Sequence, residues 1–287
     1  MHNVALATAR EWADLVPDER LVLEPLRELG VNAAPFLWDD PEVDWTRFDA
    51  VVIRCTWDYS WRIDEFRNWI DRLDSAGVRL WNPLSVVRPN LDKTYLRDLP
   101  RIGLETIPTV WLDCGAVVNL DVLLREQGWD EAIIKPVISA GARHTWRTNA
   151  ASATRDAAKL VEQLAEERVM IQPFLPEILD EGEWSMIFIG GEHSHTVMKT
   201  PKTGDFRVQE QHGGITRPAV APEWMLGRAT DGLRALAPDL LYARVDGVRV
   251  GDRFFVLEME LTEPRLFFGA KPGSERQFAR ELAKRLV

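Results

Sequence analysis

The sequence predicts an α/β fold in which a doubly wound, parallel-sheet lobe precedes two α+β lobes. Three observations predict it. Short apolar runs alternate with helical patterns over residues 1–90, as β–α–β crossovers require. Beyond residue 91 the alternation gives way to β-rich stretches, ending in a hairpin over 241–261. The chain, at 287 residues, also sits at the upper edge of what one domain usually holds. Lobes are accordingly expected at 1–90, 91–172 and 173–287.

Residues 4–8 (VALAT) have a buried-strand pattern. Leu21, Leu26 and Leu29 fall at helical spacing within 17–30, with Gly30 as C-cap. Residues 31–37 and 49–54 read as strands, 63–76 as a helix closed by Gly77, and 78–81 as a strand ending at Asn82 and Pro83. In such sheets ligands sit beyond the carboxyl ends of the strands. Topology alone therefore makes Thr8, Ala9, the segment 54–59 and Asn82 candidate substrate contacts.

From residue 91 the pattern changes. Residues 91–99 read as a helix carrying Lys93, and 109–112 and 132–135 as strands, the second ending in Lys135. A loop of small residues, 136–145, follows; 153–167 is a helix, and 168–173 a strand entering a connector. Strands are expected at 183–189 and 193–198 around a Gly190–Gly191 turn, and a helix at 222–237. A hairpin of 241–250 with 253–261 comes next. The last element is a helix over 274–286, whose Ser274 and Gln277 have capping-box spacing.

Composition excludes several classes. Acidic residues interrupt the first stretch, where a signal peptide would need an apolar core, and no run of about eighteen uncharged apolar residues occurs. Neither a leader nor a membrane span is expected. Two cysteines, Cys55 and Cys114, are too few for a disulfide scaffold, so a reducing cytoplasm is the expected home. A formal charge of −10 opposes a broad nucleic-acid surface but not a nucleotide, which needs only a few lysines and a metal. The twelve tryptophans are expected to be packing residues.

Glu258 and Glu260 lie two apart in a strand, so their carboxylates share one face, with Leu257, Met259 and Leu261 on the other. Two like charges about 7 Å apart repel unless solvent or a cation offsets them. Asp246 would face them if it pairs with Glu258. An odd-length loop such as 251–253 would give that pairing; an even one would not. Hard oxygen ligands suit magnesium, which also recruits substrate phosphates. A solvated acidic edge strand fits the same spacing.

Lys135 opens the 136–145 loop, whose small residues can turn backbone N–H groups toward a phosphate. It is not a Walker A loop, and a strand-end lysine also reads as a side chain reaching solvent. Lys93, Lys199 and Lys202 carry the same two readings. Arg207 lies on a loop hinged by Gly204, Gly213 and Gly214, where it could clamp a phosphate or carboxylate, or decorate a turn. The five histidines show no zinc-type cluster, and no Ser–His–Asp or Cys–His arrangement has supporting spacing.

In series, these pieces resemble the ATP-grasp superfamily, which includes glutathione synthetase and D-alanine–D-alanine ligase. The resemblance runs from about residue 92 to 264: Lys93; Lys135 with its loop; the hinge 172–178 (QPFLPEI); 182–185 (GEWS); 204–207 (GDFR); 244–246 (RVD); and 258–260 (EME) before Pro264. With 54–59 (RCTWDY), 80–83 (LWNP) and 242–246 (YARVD), the chain looks most like the cycloserine-forming ligases, whose activity closes O-ureido-D-serine on itself.

The resemblance implies an ATP-grasp fold behind an α/β lobe, and an ATP- and magnesium-dependent carboxylate ligase. Lys93, Lys135, Ser139 and Gly141 would hold the phosphates, and Gln172, Pro173 and Phe174 the adenine. Glu177 or Glu183 would take the ribose. Asp246, Glu258 and Glu260 would bind two magnesium ions, with Glu260 standing where asparagine is usual. Arg207, Arg244 and Lys199 would act on the transferred phosphoryl group. Thr8, Arg54, Thr56, Trp57, Asp58 and Tyr59 would hold an amino-acid-like carboxylate, so that Arg54→Ala is expected to raise the substrate KM. An acyl phosphate captured by a nitrogen of the same molecule is the expected chemistry. The rivals are an intermolecular ligase and a regulator that has lost turnover. No nucleic acid or membrane partner is expected, and self-association is left open.

Overall fold

The computed structural model describes residues 2–287. Its first sheet consists of β1 (His2–Thr8), β2 (Val31–Leu37), β3 (Ala50–Ile53) and β4 (Leu80–Trp81), all parallel in the order β2-β1-β3-β4. The period-2 alternation of a strand sends its side chains into two different cores. Val4, Leu6, Ala50 and Val52 pack on one face; Ala5, Ala7, Val51 and Ile53 pack on the other. That is why these strands are apolar at every position.

The second face is covered by the helix Ile63–Ser75 through Phe66, Trp69, Ile70 and Leu73, the i, i+3, i+4, i+7 stripe of an amphipathic helix. Each such buried side chain contributes roughly 1.5–3 kcal/mol. The helix expected over 17–30 is split into Pro17–Arg20 and Leu23–Glu28. Pro25 has no N–H to bond back to residue 21, so a continuous helix cannot form there.

The second sheet holds β5 (Val110–Leu112), β6 (Glu131–Pro136), β7 (Trp146–Asn149) and β8 (Val169–Pro173) in the antiparallel order β5-β8-β6-β7. The helices Leu120–Gln127 and Ala153–Glu166 back it. The third sheet holds β9 (Glu183–Ile189), β10 (Glu192–Thr200), β11 (Ile215–Ala219), β12 (Tyr242–Val250) and β13 (Arg253–Glu260), antiparallel in the order β11-β10-β9-β12-β13.

Two segments cross between these units. The helix expected at 91–99 is instead a helix over Leu84–Asn90 followed by 3-10 turns at Lys93–Arg97 and Leu99–Ile102. Asp92 accepts from the Thr94 N–H at 2.9 Å and starts a new turn there. Leu96, Leu99 and Leu104 pack on the third sheet, beside Met186, Phe188 and Met259. The terminal helix Ser274–Leu286 returns to the first sheet and buries Phe278, Leu282 and Leu286 against Val4 and Leu26.

Its expected capping box does not form. Gly273, at φ +96°, is the N-cap, Glu275 accepts its N–H, and the Ser274 hydroxyl donates to the Lys271 carbonyl. Among the described residues no helix is long and apolar enough to cross a membrane.

Candidate active site

The carboxylates share a face for a reason different from the expected one. The hairpin loop is Gly251 and Asp252, an even-length turn that pairs Val250 with Arg253. That register alone would turn Asp246 to the wrong side. It changes between Gly247, which pairs with Val256, and Asp246, which pairs with Glu258. Leu257 is the extra residue of a β-bulge, and one inserted residue inverts the facing of everything beyond it. Arg244 opposite Glu260 and Asp246 opposite Glu258 therefore project together.

The bulge also removes Leu257 from the apolar face: Val256, Met259 and Leu261 are buried, and Leu257 is not. Beside it only glycine fits at 247, because a Cβ there would meet the Phe254 ring at 2.4 Å and the Phe255 carbonyl at 2.6 Å.

Each acid on this face is turned onto a cation. Arg244 grips Asp246 at two points, Nε to Oδ1 at 3.0 Å and Nη2 to Oδ2 at 2.8 Å, and also bonds Glu260. Lys93 lies 2.9 Å from Glu258. Lys199 bonds Glu183 and approaches Asp246 at 3.5 Å. Burial works against the Asp246 charge, but Arg244 and Lys199 hold its carboxyl below the usual carboxylate range. Burial likewise opposes the Lys199 charge, and Asp246 and Glu183 outweigh it. Glu260 is pushed up to about 8 by burial, with Asp246 and Glu258 adding to the rise against Arg244.

Sequence reasoning missed Glu263. It is 7% exposed, and burial with Glu258 raises it to about 7, with Lys93 and Tyr59 opposing the rise. It sits in no periodic pattern, and only the turn before Pro264 hints at it.

The phosphate-type loop closes the other side. Lys93 donates to the Ser139 carbonyl at 2.6 Å and lies 3.4 Å from its hydroxyl, so one lysine touches both the loop and the carboxylate strand. Lys135, half-buried, forms no ion pair among the described residues. Burial lowers its pKa, with Glu258 opposing and Lys93 adding to the fall. Gly141, at φ +60°, offers its carbonyl to Gln211 and His212. A Cβ there would meet the Gln211 amide at 2.7 Å. The loop 201–214 thus lies against 136–145. Arg207, however, is gripped by Asp205 at two points, 3.1 and 2.8 Å, and is not drawn into the cluster.

At the hinge, buried Gln172 donates to Thr109 Oγ1 at 2.9 Å, and Pro173 pairs with Ala132. The Phe174 ring carries Arg147 above it at 3.8 Å and meets the Phe206 ring at 6.3 Å. Glu177 stays half-buried on the connector; Glu183 is committed to Lys199 within the cluster. Of the two acids offered for a ribose, only Glu177 is free of that cluster.

The N-terminal candidates divide. Arg54 does not present its charge to a ligand: it pairs with buried Glu19 at 2.8 Å through both Nε and Nη2, bonds the Pro264 carbonyl, and lies over the Tyr242 ring. The structure thus seats the Arg54 charge on Glu19, where the sequence reading has it gripping the substrate. Thr8 donates to the Trp12 carbonyl, Trp57 to the Glu263 carbonyl, and Asp58 accepts from the Trp38 indole at 2.9 Å. Asn82 is buried as a clip between lobes, bonding Tyr242 and Leu261. Tyr59 faces the acids, and the buried Thr56 hydroxyl has no partner among the described residues.

Whether this face suits a divalent cation can be judged from its donors. Among the described residues no three His, Cys, Asp or Glu side chains converge into a ready cage, since the acids point at lysine and arginine. Yet the donors are hard carboxylate oxygens on one surface. The acids Glu183, Asp246, Glu258, Glu260 and Glu263 also outnumber the cations Lys93, Lys135, Lys199 and Arg244 by one. Burial first, and the neighbouring carboxylates second, raise Glu260 and Glu263. The set fits magnesium.

Comparison with known proteins places the chain among described families. Residues 4–82 match the family described as the N-terminal domain of D-cycloserine synthetase DcsG, and residues 114–222 match the ATP-grasp domain of prokaryotic glutathione synthetase. The chain is 33% identical to the cycloserine biosynthesis protein DcsG of Streptomyces lavendulae, over 100% of this chain and 99% of that one. It is similar to a crystal structure of D-cycloserine synthetase DcsG at TM-score 0.90 and 29% identity, covering 99% of this chain and 100% of the other. D-alanine–D-alanine ligase from Bacillus anthracis shares the fold at TM-score 0.69 and 15% identity, covering 100% and 98%.

Proposed function

This chain belongs to the ATP-grasp ligases, in the family of the cycloserine biosynthesis protein DcsG, and we propose that it closes a ring within an amino-acid-like substrate. The substrate is O-ureido-D-serine or a close analogue. The observation that carries the reading is the placement of Lys93, which touches both Ser139 of the phosphate-type loop and Glu258 of the acidic strand. A lysine so placed joins the two halves of a phosphoryl-transfer site.

Phosphoryl transfer asks for positioning and charge neutralisation rather than covalent work by the protein. Lys93 and Lys135 hold the ATP phosphates above the 136–145 loop, Gln172 to Phe174 meet the adenine, and Glu177 meets the ribose. Asp246, Glu258 and Glu260 would hold two magnesium ions, which when bound neutralise the phosphate charge. To serve ATP, Lys93 exchanges Glu258 for phosphate, and Arg244 turns from Glu260 toward the transferred group. Arg207 must leave Asp205 to assist. Thr56 and Tyr59, not Arg54, contact the substrate. The 201–214 loop, resting on Gly141 and Phe174, excludes water.

The substrate carboxylate oxygen bonds to the γ-phosphorus as the bond to the ADP oxygen breaks. The ureido nitrogen then attacks the acyl carbon, loses a proton, and phosphate leaves. Phosphate release measured across candidate carboxylates with ATP and magnesium, with product masses, tests this reading. A ring lighter than O-ureido-D-serine by one water is expected while the carbamoyl group stays on the attacking nitrogen, and lighter by a further HNCO once water removes that group as carbon dioxide and ammonia, in both cases without a second amine. A product that forms only when a second amine is supplied would make the chain an intermolecular ligase.

A further inference from the structure

The strand that carries Glu258 and Glu260 is an edge strand, since β13 ends the order of its sheet. Along an antiparallel strand, alternate residues direct their N–H and C=O groups away from the partner strand. Beyond the bulge those residues are Met259 and Leu261, whose backbone groups bond side chains outside the sheet. Their outward groups are buried and need partners.

Those partners come from one short segment of chain. The Tyr95 hydroxyl accepts from the Met259 N–H at 2.8 Å and donates to the Met259 carbonyl at 3.0 Å. The Asn90 amide donates to the same carbonyl at 2.7 Å and accepts from the Leu261 N–H at 2.9 Å and the Thr262 hydroxyl at 3.1 Å. Two side chains stand in for a missing strand on either side of Glu260.

Between them in sequence lies Lys93, whose own N–H donates to the Val137 carbonyl at the root of the phosphate-type loop, at 3.0 Å. The preceding Asp92 is paired with Arg168 at the start of β8. The segment 90–95 is thus pinned to the second sheet by its backbone and to the acidic strand by its side chains.

We propose that Asn90 and Tyr95 are positioning residues that hold the Lys93 turn against the acidic strand, so that the phosphate lysine and Glu258 are presented as one unit. Neither residue touches ATP; both act through Lys93. The inference rests on the reading above that Lys93 holds phosphate.

The test is a double-mutant cycle on binding of a non-hydrolysable ATP analogue with magnesium, followed by calorimetry, with the melting temperature recorded for every variant. Tyr95→Phe and Asn90→Asp should each weaken binding about tenfold, the size expected when a buried backbone group loses its partner and the turn shifts. In a Lys93→Ala background the same changes should leave affinity within about twofold, because the lysine they position is gone. Lower melting temperatures with unchanged affinity in the wild-type background would overturn the inference and reduce both residues to structural roles. If Lys93→Ala itself leaves affinity unchanged, the phosphate role of Lys93 falls and this inference with it. A variant that does not fold is replaced in the cycle by the other.

Discussion

Arg54 and Arg244 are both buried and both grip a buried carboxylate at two points, but their surroundings differ. Around Arg54 the pairing is single: one acid, Glu19, one carbonyl, Pro264, and the Tyr242 and Phe278 rings, with Nη1 left without a partner among the described residues. Around Arg244 it is open, because Asp246 and Glu260 share the guanidinium, Lys199 approaches Asp246, and Lys93 pairs with the adjacent Glu258. A closed pair has one arrangement and fixes structure. An open cluster has several arrangements of similar energy, and a ligand can choose among them.

The largest effect expected of that difference is on catalysis. Asp246→Asn removes a charge from the open cluster, yet leaves Arg244 with Glu260 and Lys199 with Glu183. It should lower kcat by roughly a thousandfold, in line with the loss of one preorganised charge at a transition state. The melting temperature should change little. Steady-state kinetics beside a thermal melt check both; a large loss of stability would show that the cluster is as closed as the Arg54 pair.

Arg54→Met should behave in the opposite way. It strands Glu19, which is 1% exposed, without a cation, and breaking a buried pair from one side costs about 3–5 kcal/mol. Denaturant titration should show that loss, while the substrate KM of the folded fraction stays within about threefold. A KM raised strongly at unchanged stability would restore Arg54 to the substrate site.

How far the sequence foretells this contrast depends on where the partner lies. Alternating strands and helices made the first sheet legible, and the order of lysines, hinge and acids made the site recognisable. Glu19 lies 35 residues before Arg54, and nothing local marks them as a pair. The segment 54–59 therefore reads the same whether it binds substrate or braces the lobes. The bulge at Leu257 was equally hidden: loop parity alone gives the wrong face for Asp246. Asn90 and Tyr95 bond backbone more than 160 residues away, and backbone acceptors leave no trace in side-chain patterns.

A smaller effect separates the regions by pH. Glu263 at about 7 and Glu260 at about 8 both lie above the ordinary 4.5, so the folded state binds their protons more tightly than the unfolded chain does. Their stabilisation is present below about pH 4.5 and is lost as pH rises through about 7 and then about 8. The metal-free melting temperature should therefore fall by a few degrees between about pH 5 and pH 9. Magnesium with nucleotide should flatten that slope, and Glu263→Gln should flatten its lower part. A slope unchanged in Glu263→Gln would remove that residue from the cluster.

The smallest expected effect is the most discriminating. Glu19→Met with Arg54→Met removes both halves of the closed pair, and replacing a buried ion pair by apolar groups of similar size is often near neutral. The residual cost is the Pro264 carbonyl, which loses its donor, at about 1–2 kcal/mol for an unsatisfied buried acceptor, and a smaller one for the Leu266 N–H, which loses its 3.4 Å contact with Glu19. The double variant should thus be more stable than Arg54→Met alone and retain nucleotide affinity. No such rescue is expected at Arg244, because its partners Asp246 and Glu260 are the acids proposed to hold magnesium. If the double variant proves no more stable than the single one, Arg54 contributes through its contacts with Tyr242 and Phe278 rather than through its charge.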